Sequence, residues 1–263
     1  MSWLQQRIFR NASKTYYNSS LFFPKPVRRD VFTLYGFVRT ADDFVDRVPQ
    51  DREGFYAFRE EYRKAAAGSQ TEHPVIGPYV ELARRHEFRP EWTEAFLHSM
   101  ELDMEKSVHS SIDETLEYIY GSAEVIGLFM AKILGLPPEA FHYAQMQGRA
   151  MQFINFVRDI AEDNRLGRIY LPIAETSLAD LSYEEAVRQP EAFRSFLRTQ
   201  LERYDAWQHE AWKGYAFIPH RYLIAVKTAS DMYNWTGRVI AQDPFVVYRR
   251  KVKPSRNPVI VQA

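Results

Sequence analysis

The sequence predicts an all-α fold, one helical domain spanning 1–263. Three observations point there. Long segments repeat their apolar residues at the helical period. Strand-like alternation with hairpin dipeptides is nearly absent. Only 11 glycines occur in 263 residues, and most of them stand where the helical segments break. Hydrophobic residues make up 46% and charged residues 26%, a globular balance with ample material for a core.

Each element follows from its own signals. KPVRRDVFTLYGFVRTADDFVDRV, residues 25–48, places Pro26 in a first turn, where a missing N–H costs nothing. REGFYAFREEYRKAAAG runs to Gly68, a suitable C-terminal cap. RPEWTEAFLHSMELDMEKSV starts at a proline. SIDETLEYIYGSAEVIGLFMAKILGLPP carries Ser111 and Glu114 at capping-box spacing and ends on two prolines. EAFHYAQMQGRAMQFINFVRDIAEDNRLG reads as one long helix ending near Gly167, and further helices are expected over 182–188, 190–214 and 218–241. The tail after Pro254 looks irregular, and neither a linker nor a repeat divides the chain.

Composition excludes several classes. Thirty-four basic residues balance thirty-four acidic ones, which argues against nucleic-acid binding through phosphate contacts. An anionic ligand would have to be met by a local cluster of cations. With no cysteine there is neither a disulfide framework nor a thiolate metal site. The opening MSWLQQRIFRNASKTYY lacks a long apolar core and a cleavage pattern, so a signal peptide is not expected. No run of apolar residues is long enough to span a bilayer. The expected compartment is the cytoplasm.

The stretch RTADDFVDR needs explaining. Arg39, Asp43 and Arg47, spaced by four, read as an ordinary helical ion ladder. Asp42 and Asp46 are also spaced by four, on another face, with Tyr35 and Arg39 on their stripe. Their carboxylates would lie about 6 Å apart and, partly buried, repel by about 3 kcal/mol. The pattern returns in QFINFVRDIAEDNRLGRIYLP. Arg158, Glu162 and Arg165 read as a ladder, Asp159 and Asp163 remain as a pair, and Asn155 and Gln152 extend that face. Two helices that each aim an aspartate pair in one direction suggest a shared partner. All-oxygen ligands without histidine or cysteine suit a hard cation, Mg²⁺ first and Mn²⁺ as a possible substitute. Arginines beside the carboxylates suit phosphate oxygens.

Three segments in this order resemble the squalene/phytoene synthase family of head-to-head prenyl synthases, most of all its bacterial or archaeal phytoene and dehydrosqualene synthases. They are ASKTYYNSSLFFPKPVRRDVFTLYGFVRTADDFVD, YIYGSAEVIG and GRAMQFINFVRDIAEDNRLGRIYLP. The resemblance covers nearly the whole chain. It implies an isoprenoid-synthase-type bundle with a central cavity. It further implies that Asp42, Asp46, Asn155, Asp159 and Asp163 bind Mg²⁺ ions holding substrate diphosphates, with Gln152 alongside. Ser13, Lys14, Tyr35, Arg39 and Arg158 would hold diphosphate oxygens, and Tyr118 would stand near the reacting carbons. The basic run Tyr248–Lys253 would close over the second diphosphate. Glu124 departs from the family, where many members have a small residue, and this puts the local pocket shape in doubt.

The implied reaction joins two prenyl diphosphates into a cyclopropyl diphosphate and rearranges it to a linear hydrocarbon. The substrate is expected to be geranylgeranyl diphosphate and the product phytoene, because Ser20, one turn from Tyr16, leaves a roomy tail channel. The C30 alternatives, from farnesyl diphosphate, are presqualene diphosphate, dehydrosqualene and squalene. No GxGxxG follows a strand, and the chain lacks the C-terminal anchor of eukaryotic squalene synthases, so NADPH is not expected. A lipophilic product implies transient membrane contact. The oligomeric state is not legible. Two rival readings are weaker. A di-iron bundle would need Glu-x-x-His pairs, and His98, Glu101 and Glu105 give only a lone motif in reverse order. A non-catalytic assembly factor of the same fold would have little reason to keep four mutually repelling aspartates.

Overall fold

The computed structural model describes residues 20–253. Ser13, Lys14 and Tyr16, assigned to substrate above, lie outside the described residues. Among those described, every regular element is helical. In chain order the α-helices are α1 (Lys25–Asp46), α2 (Arg52–Ala66), α3 (Ile76–Arg85), α4 (Pro90–Glu105), α5 (Ile112–Ile119), α6 (Val125–Ile133), α7 (Phe141–Arg158), α8 (Ile160–Arg165), α9 (Tyr183–Arg188), α10 (Pro190–Lys213), α11 (His220–Gln242) and α12 (Val246–Arg249). A π-helical segment, Tyr120–Glu124, joins α5 to α6.

Two cores divide the bundle. In the first, α1 packs on α2, α3 and α4 around Phe37, whose ring stacks on Tyr79 with centroids 3.8 Å apart. In the second, α7 forms the axis, packed against α10 and α11 through Phe153, Ile154, Phe193, Leu197 and Tyr204. The two acidic segments thus belong to different cores, and the fold has to bring their ends together.

The sequence pattern conceals α3. Its buried residues Ile76, Tyr79 and Leu82 keep helical spacing, but Gly77-Pro78 reads as a turn. Both fall in the first turn, where proline is tolerated. The anticipated long helix to Gly167 is interrupted instead. Asp159 leaves helical geometry (φ −98, ψ 13) between α7 and α8. The Asp163 N–H still donates to the Asp159 carbonyl at 2.9 Å, so the aspartate pair keeps its one-turn relation across the break. The capping box is half formed. Ser111 Oγ accepts from Glu114 N–H, but the Glu114 carboxylate turns one residue further back, to the Ser110 N–H at 2.6 Å.

The π-helical segment changes how this region packs. Gly121 lies so close to α4 that a Cβ there would stand 2.1 Å from the Ala95 carbonyl oxygen and 2.2 Å from Ser99 Oγ. That approach lets Ser99 donate to the Tyr118 carbonyl at 2.9 Å, which fixes the backbone of Tyr118. Glu124, at the end of the segment, does point inward. It is buried and accepts from Arg149 Nε at 2.6 Å and Gln145 at 3.3 Å, while the Arg149 guanidinium lies over Trp207.

Candidate active site

The C-terminal turn of α1 positions Arg39, Asp42, Asp43 and Asp46. A single guanidinium serves all three carboxylates: Arg39 stands 2.5 Å from Asp42, 2.5 Å from Asp43 and 3.4 Å from Asp46. The anticipated ladder forms on one side only, because Arg47 reaches forward to Asp51 at 3.3 Å instead. Tyr35, one turn back, is half-buried, and that burial raises its phenol.

The break between α7 and α8 positions the second pair. Arg158 does not join the expected ladder with Glu162 and Arg165. With the helix interrupted, it folds onto its neighbour Asp159, with Nε 2.9 Å from Oδ1 and a second bond from Nη2 to Oδ2. Glu162 pairs with Lys251, which also stands 3.6 Å from Asp159, and Arg165 turns to the Ala161 carbonyl. The basic run at the end of the chain therefore does lie on the second acidic segment, anchored by fully buried Val252. Gln152 and Asn155 neighbour each other on α7, with Asn155 Nδ2 3.5 Å from Gln152 Oε1. Asn155 Oδ1 is buried without a hydrogen-bond partner among the described residues.

Arg168, in the turn after α8, joins the two segments. It donates to the Val45 carbonyl at the end of α1 (2.9 Å) and stands 3.6 Å from Asp46. A guanidinium at a helix C-terminus meets the negative end of the helix dipole. The same strand of chain pairs with residues 107–109: the Ile169 N–H donates to the Ser107 carbonyl and the His109 N–H to the Ile169 carbonyl, both at 2.8 Å.

Beneath lies a group that the sequence did not reveal. Asp103 of α4 is buried, and it accepts hydrogen bonds from the hydroxyls of Tyr118 (2.6 Å) and Tyr170 (2.7 Å). Burial pushes its carboxyl up, and the two phenols and Arg168 partly offset this. Tyr170 stacks on Phe156, with ring centroids 4.5 Å apart, and His109 covers its neighbourhood at 5.3 Å.

The electrostatics tie these parts together. Burial, then repulsion from Asp46, pushes Asp42 up to about 7, against the pull of Arg39. Asp42 keeps 33% of its side chain accessible, so solvent screens part of that cost. Burial, then Asp159 and Glu162, pushes Asp163 up to about 8. The Asp103 charge adds to the shift of both, which places it within reach of each pair. No three histidine, aspartate or glutamate side chains among the described residues form a group that would hold a metal ion unaided. Asp42, Asp43 and Asp46 are turned to Arg39, and Asp159 to Arg158 and Lys251.

Other predicted residues are placed as follows. Ser20 is buried at the start of the described chain. His98 stands 3.5 Å from Glu101, which Arg59 holds at 2.9 Å, so these residues make a surface ion network. No helix among the described residues is long and apolar enough to cross a membrane.

The comparisons with known proteins agree with one another. A family model described as squalene/phytoene synthase matches residues 9–257. The chain is 30% identical over 246 residues to the 15-cis-phytoene synthase of Pantoea ananas, covering 88% of this chain and 79% of that protein. It is 23% identical over 249 residues to the 4,4'-diapophytoene synthase of Staphylococcus haemolyticus, covering 92% and 83%. The fold superposes on the squalene synthase HpnC of Alicyclobacillus acidocaldarius with a TM-score of 0.82 at 23% identity, covering 92% and 93% of the two chains. A dehydrosqualene synthase also superposes at 0.82, with 20% identity and coverage of 98% and 92%.

Proposed function

Because the chain belongs to the squalene/phytoene synthase family of prenyltransferases, we propose that it joins two geranylgeranyl diphosphates head to head, through a cyclopropyl diphosphate, to give phytoene. The observation that carries this is that Arg168 ties together the aspartate segments of the two cores: its side chain holds the Val45 carbonyl and stands 3.6 Å from Asp46, and its backbone N–H donates to the Asp163 carbonyl at 2.9 Å. Burial and neighbouring carboxylates disfavour the charge of one member of each pair, Asp42 and Asp163. A dication would relieve both.

The donor set fits Mg²⁺, with Mn²⁺ as a substitute. Asp42, Asp46, Asp159 and Asp163 offer oxygens, and Asn155 offers a buried Oδ1 that lacks a partner among the described residues. Bound there, the metal would neutralise the charge that develops on a departing diphosphate. Arg39 and Arg158, now held by carboxylates, are the cations at hand for diphosphate oxygens, and Lys251 lies beside the second pair. Tyr35 and Gln152 flank the same faces, and Ser13 and Lys14 keep their assignment from the resemblance. Once the C–O bond breaks, its electron pair leaves with the diphosphate. The allylic cation must then be kept from water, a task for Phe153, Phe156, Tyr118 and Tyr170.

The longer substrate rests on Ser20 as a small residue on the tail channel, with Tyr16 four residues earlier in the sequence. The likeness to a diapophytoene synthase keeps farnesyl diphosphate as the second reading. The proposed reaction takes no NADPH, and its lipophilic product implies transient contact with a bilayer. The test is product analysis with Mg²⁺ and either diphosphate, with and without NADPH. Phytoene from geranylgeranyl diphosphate alone is the expected result. A C30 hydrocarbon would overturn the substrate, and its dependence on NADPH would separate squalene from dehydrosqualene. No hydrocarbon from either would favour the non-catalytic reading.

A further inference from the structure

Among the described residues, Asp103 is a buried carboxylate beside the site to which the reaction above gives no task. It is costly to keep. Its side chain is 9% exposed, and burial disfavours its charge. Phenylalanine at 118 and 170 and leucine at 103 would fill the same space without a polar atom. Instead two phenols converge on the two carboxylate oxygens, Tyr118 on Oδ2 and Tyr170 on Oδ1.

The consequence lies in the proton count. A phenol has a single proton to donate. With that proton committed to Asp103, the Tyr118 oxygen can offer only lone pairs to any other group. Further contacts pack around this residue. Its carbonyl is held by Ser99 at 2.9 Å, and its ring lies 5.1 Å from Tyr170 and 5.9 Å from Phe156.

We propose, on the prenyl synthase reading above, that Asp103 is a positioning residue that holds Tyr118 as an electron-rich wall with no proton to present to the carbocation. The demand for such a wall differs between the two half-reactions. The first cation is intercepted at once by the double bond of the second substrate, and the cation this leaves gives up a proton to the released diphosphate as the cyclopropane ring closes. The second forms when the cyclopropyl diphosphate ionises, its C–O electron pair leaving with the diphosphate. That cation must survive a skeletal rearrangement before it loses a proton to the released diphosphate. Loss of Asp103 therefore falls on the second half-reaction.

The test uses the full chain with Mg²⁺ and geranylgeranyl diphosphate, and farnesyl diphosphate in parallel. Hydrocarbon, cyclopropyl diphosphate with its alcohols, and total diphosphate released are quantified for wild type, Asp103→Asn, Tyr118→Phe, the double variant and Tyr170→Phe. The expected result is a fall of about tenfold in the ratio of hydrocarbon to cyclopropyl products for Asp103→Asn and Tyr118→Phe. The double variant should be no worse than the worse single, and Tyr170→Phe should fall less. A merely structural role would lower both half-reactions in parallel and leave the ratio unchanged, and that result overturns the proposal. If Asp103→Asn fails to fold, Tyr118→Phe decides through the same ratio, since it keeps the ring and removes the same hydrogen bond. Wild-type protein that releases diphosphate and accumulates hydrocarbon upholds the underlying function even where the ratio refutes Asp103. Wild-type protein that releases none removes both.

Discussion

Asp42 and Asp163 stand where burial and neighbouring carboxylates disfavour their charge, and this separates the stability of the fold from the turnover proposed for these aspartates. Replacing Asp42 or Asp159 by asparagine is expected to cut product formation by roughly a thousandfold. The melting temperature should stay unchanged or rise slightly, since repulsion is removed. Full activity in both variants with Mg²⁺ would end the metal-clamp model. The pH dependence follows from the same shifts. Asp42 and Asp163 are pushed up to about 7 and about 8. Between about pH 4 and those values the unfolded chain has released protons that the native protein keeps, so native stability falls as pH rises. Urea midpoints of metal-free protein from about pH 5 to pH 8 should therefore decline, and Asp42→Asn with Asp163→Asn should flatten the decline. A wild-type midpoint that rises over this window would contradict the burial of the two carboxyls. The aspartate pairs were legible in the sequence because a spacing of four sets two carboxylates one turn apart, within α1 for Asp42 and Asp46 and across the break between α7 and α8 for Asp159 and Asp163. Asp103 was not, because its partners are 15 and 67 residues away, and along α4 it reads as part of the charged run with Glu101 and Glu105. Arg168 follows a glycine turn and belongs to no periodic pattern that could have marked it.

At the scale of elements, the contact between the π-helical segment and α7 holds a buried ion pair, Glu124 with Arg149. Glu124 has 3% of its side chain accessible and Arg149 has 21%. Removing the cation alone leaves a buried carboxylate without its charge partner. Arg149→Met is expected to cost about 3 kcal/mol, and the added Glu124→Gln should recover most of it. Thermal melts would read this as a loss of about 6–12 °C that the second substitution largely reverses. Singles that are each neutral would mean that the pair contributes nothing. Elements differ in how openly the sequence announces them. The α1 and α10 helices carry long apolar periods with proline at the start, and they appear as expected. The α3 helix is hidden by Gly77-Pro78. The break at Asp159 has no glycine or proline to mark it. It goes with Arg158 turning onto the adjacent carboxylate, a pairing that helix periodicity does not contain.

For the molecule as a whole, the site exists only where the two cores meet. One aspartate pair belongs to a core built from α1 to α4, the other to a core built on α7, and Arg168 closes the distance by holding the end of α1. The class of fold was plain from periodicity and the scarcity of glycine, but which ends converge depends on contacts across more than a hundred residues, such as Arg168 with Val45. One further consequence concerns how ligands enter. In this arrangement Arg39 pairs with Asp42 and Asp46, and Arg158 and Lys251 pair with Asp159. A cation arriving alone must evict an arginine, and a diphosphate arriving alone meets carboxylates. When both arrive, Arg39 and Arg158 can trade carboxylates for phosphate oxygens while the carboxylates they held turn to the metal, so opposite charges stay paired on both sides. Binding becomes a double exchange of partners, and the two ligands must be strongly synergistic. Titration calorimetry should find weak heats for Mg²⁺ or inorganic diphosphate separately and tight binding for either once the other is present. Tight binding of Mg²⁺ alone would show that the arginines do not hold the aspartates in solution.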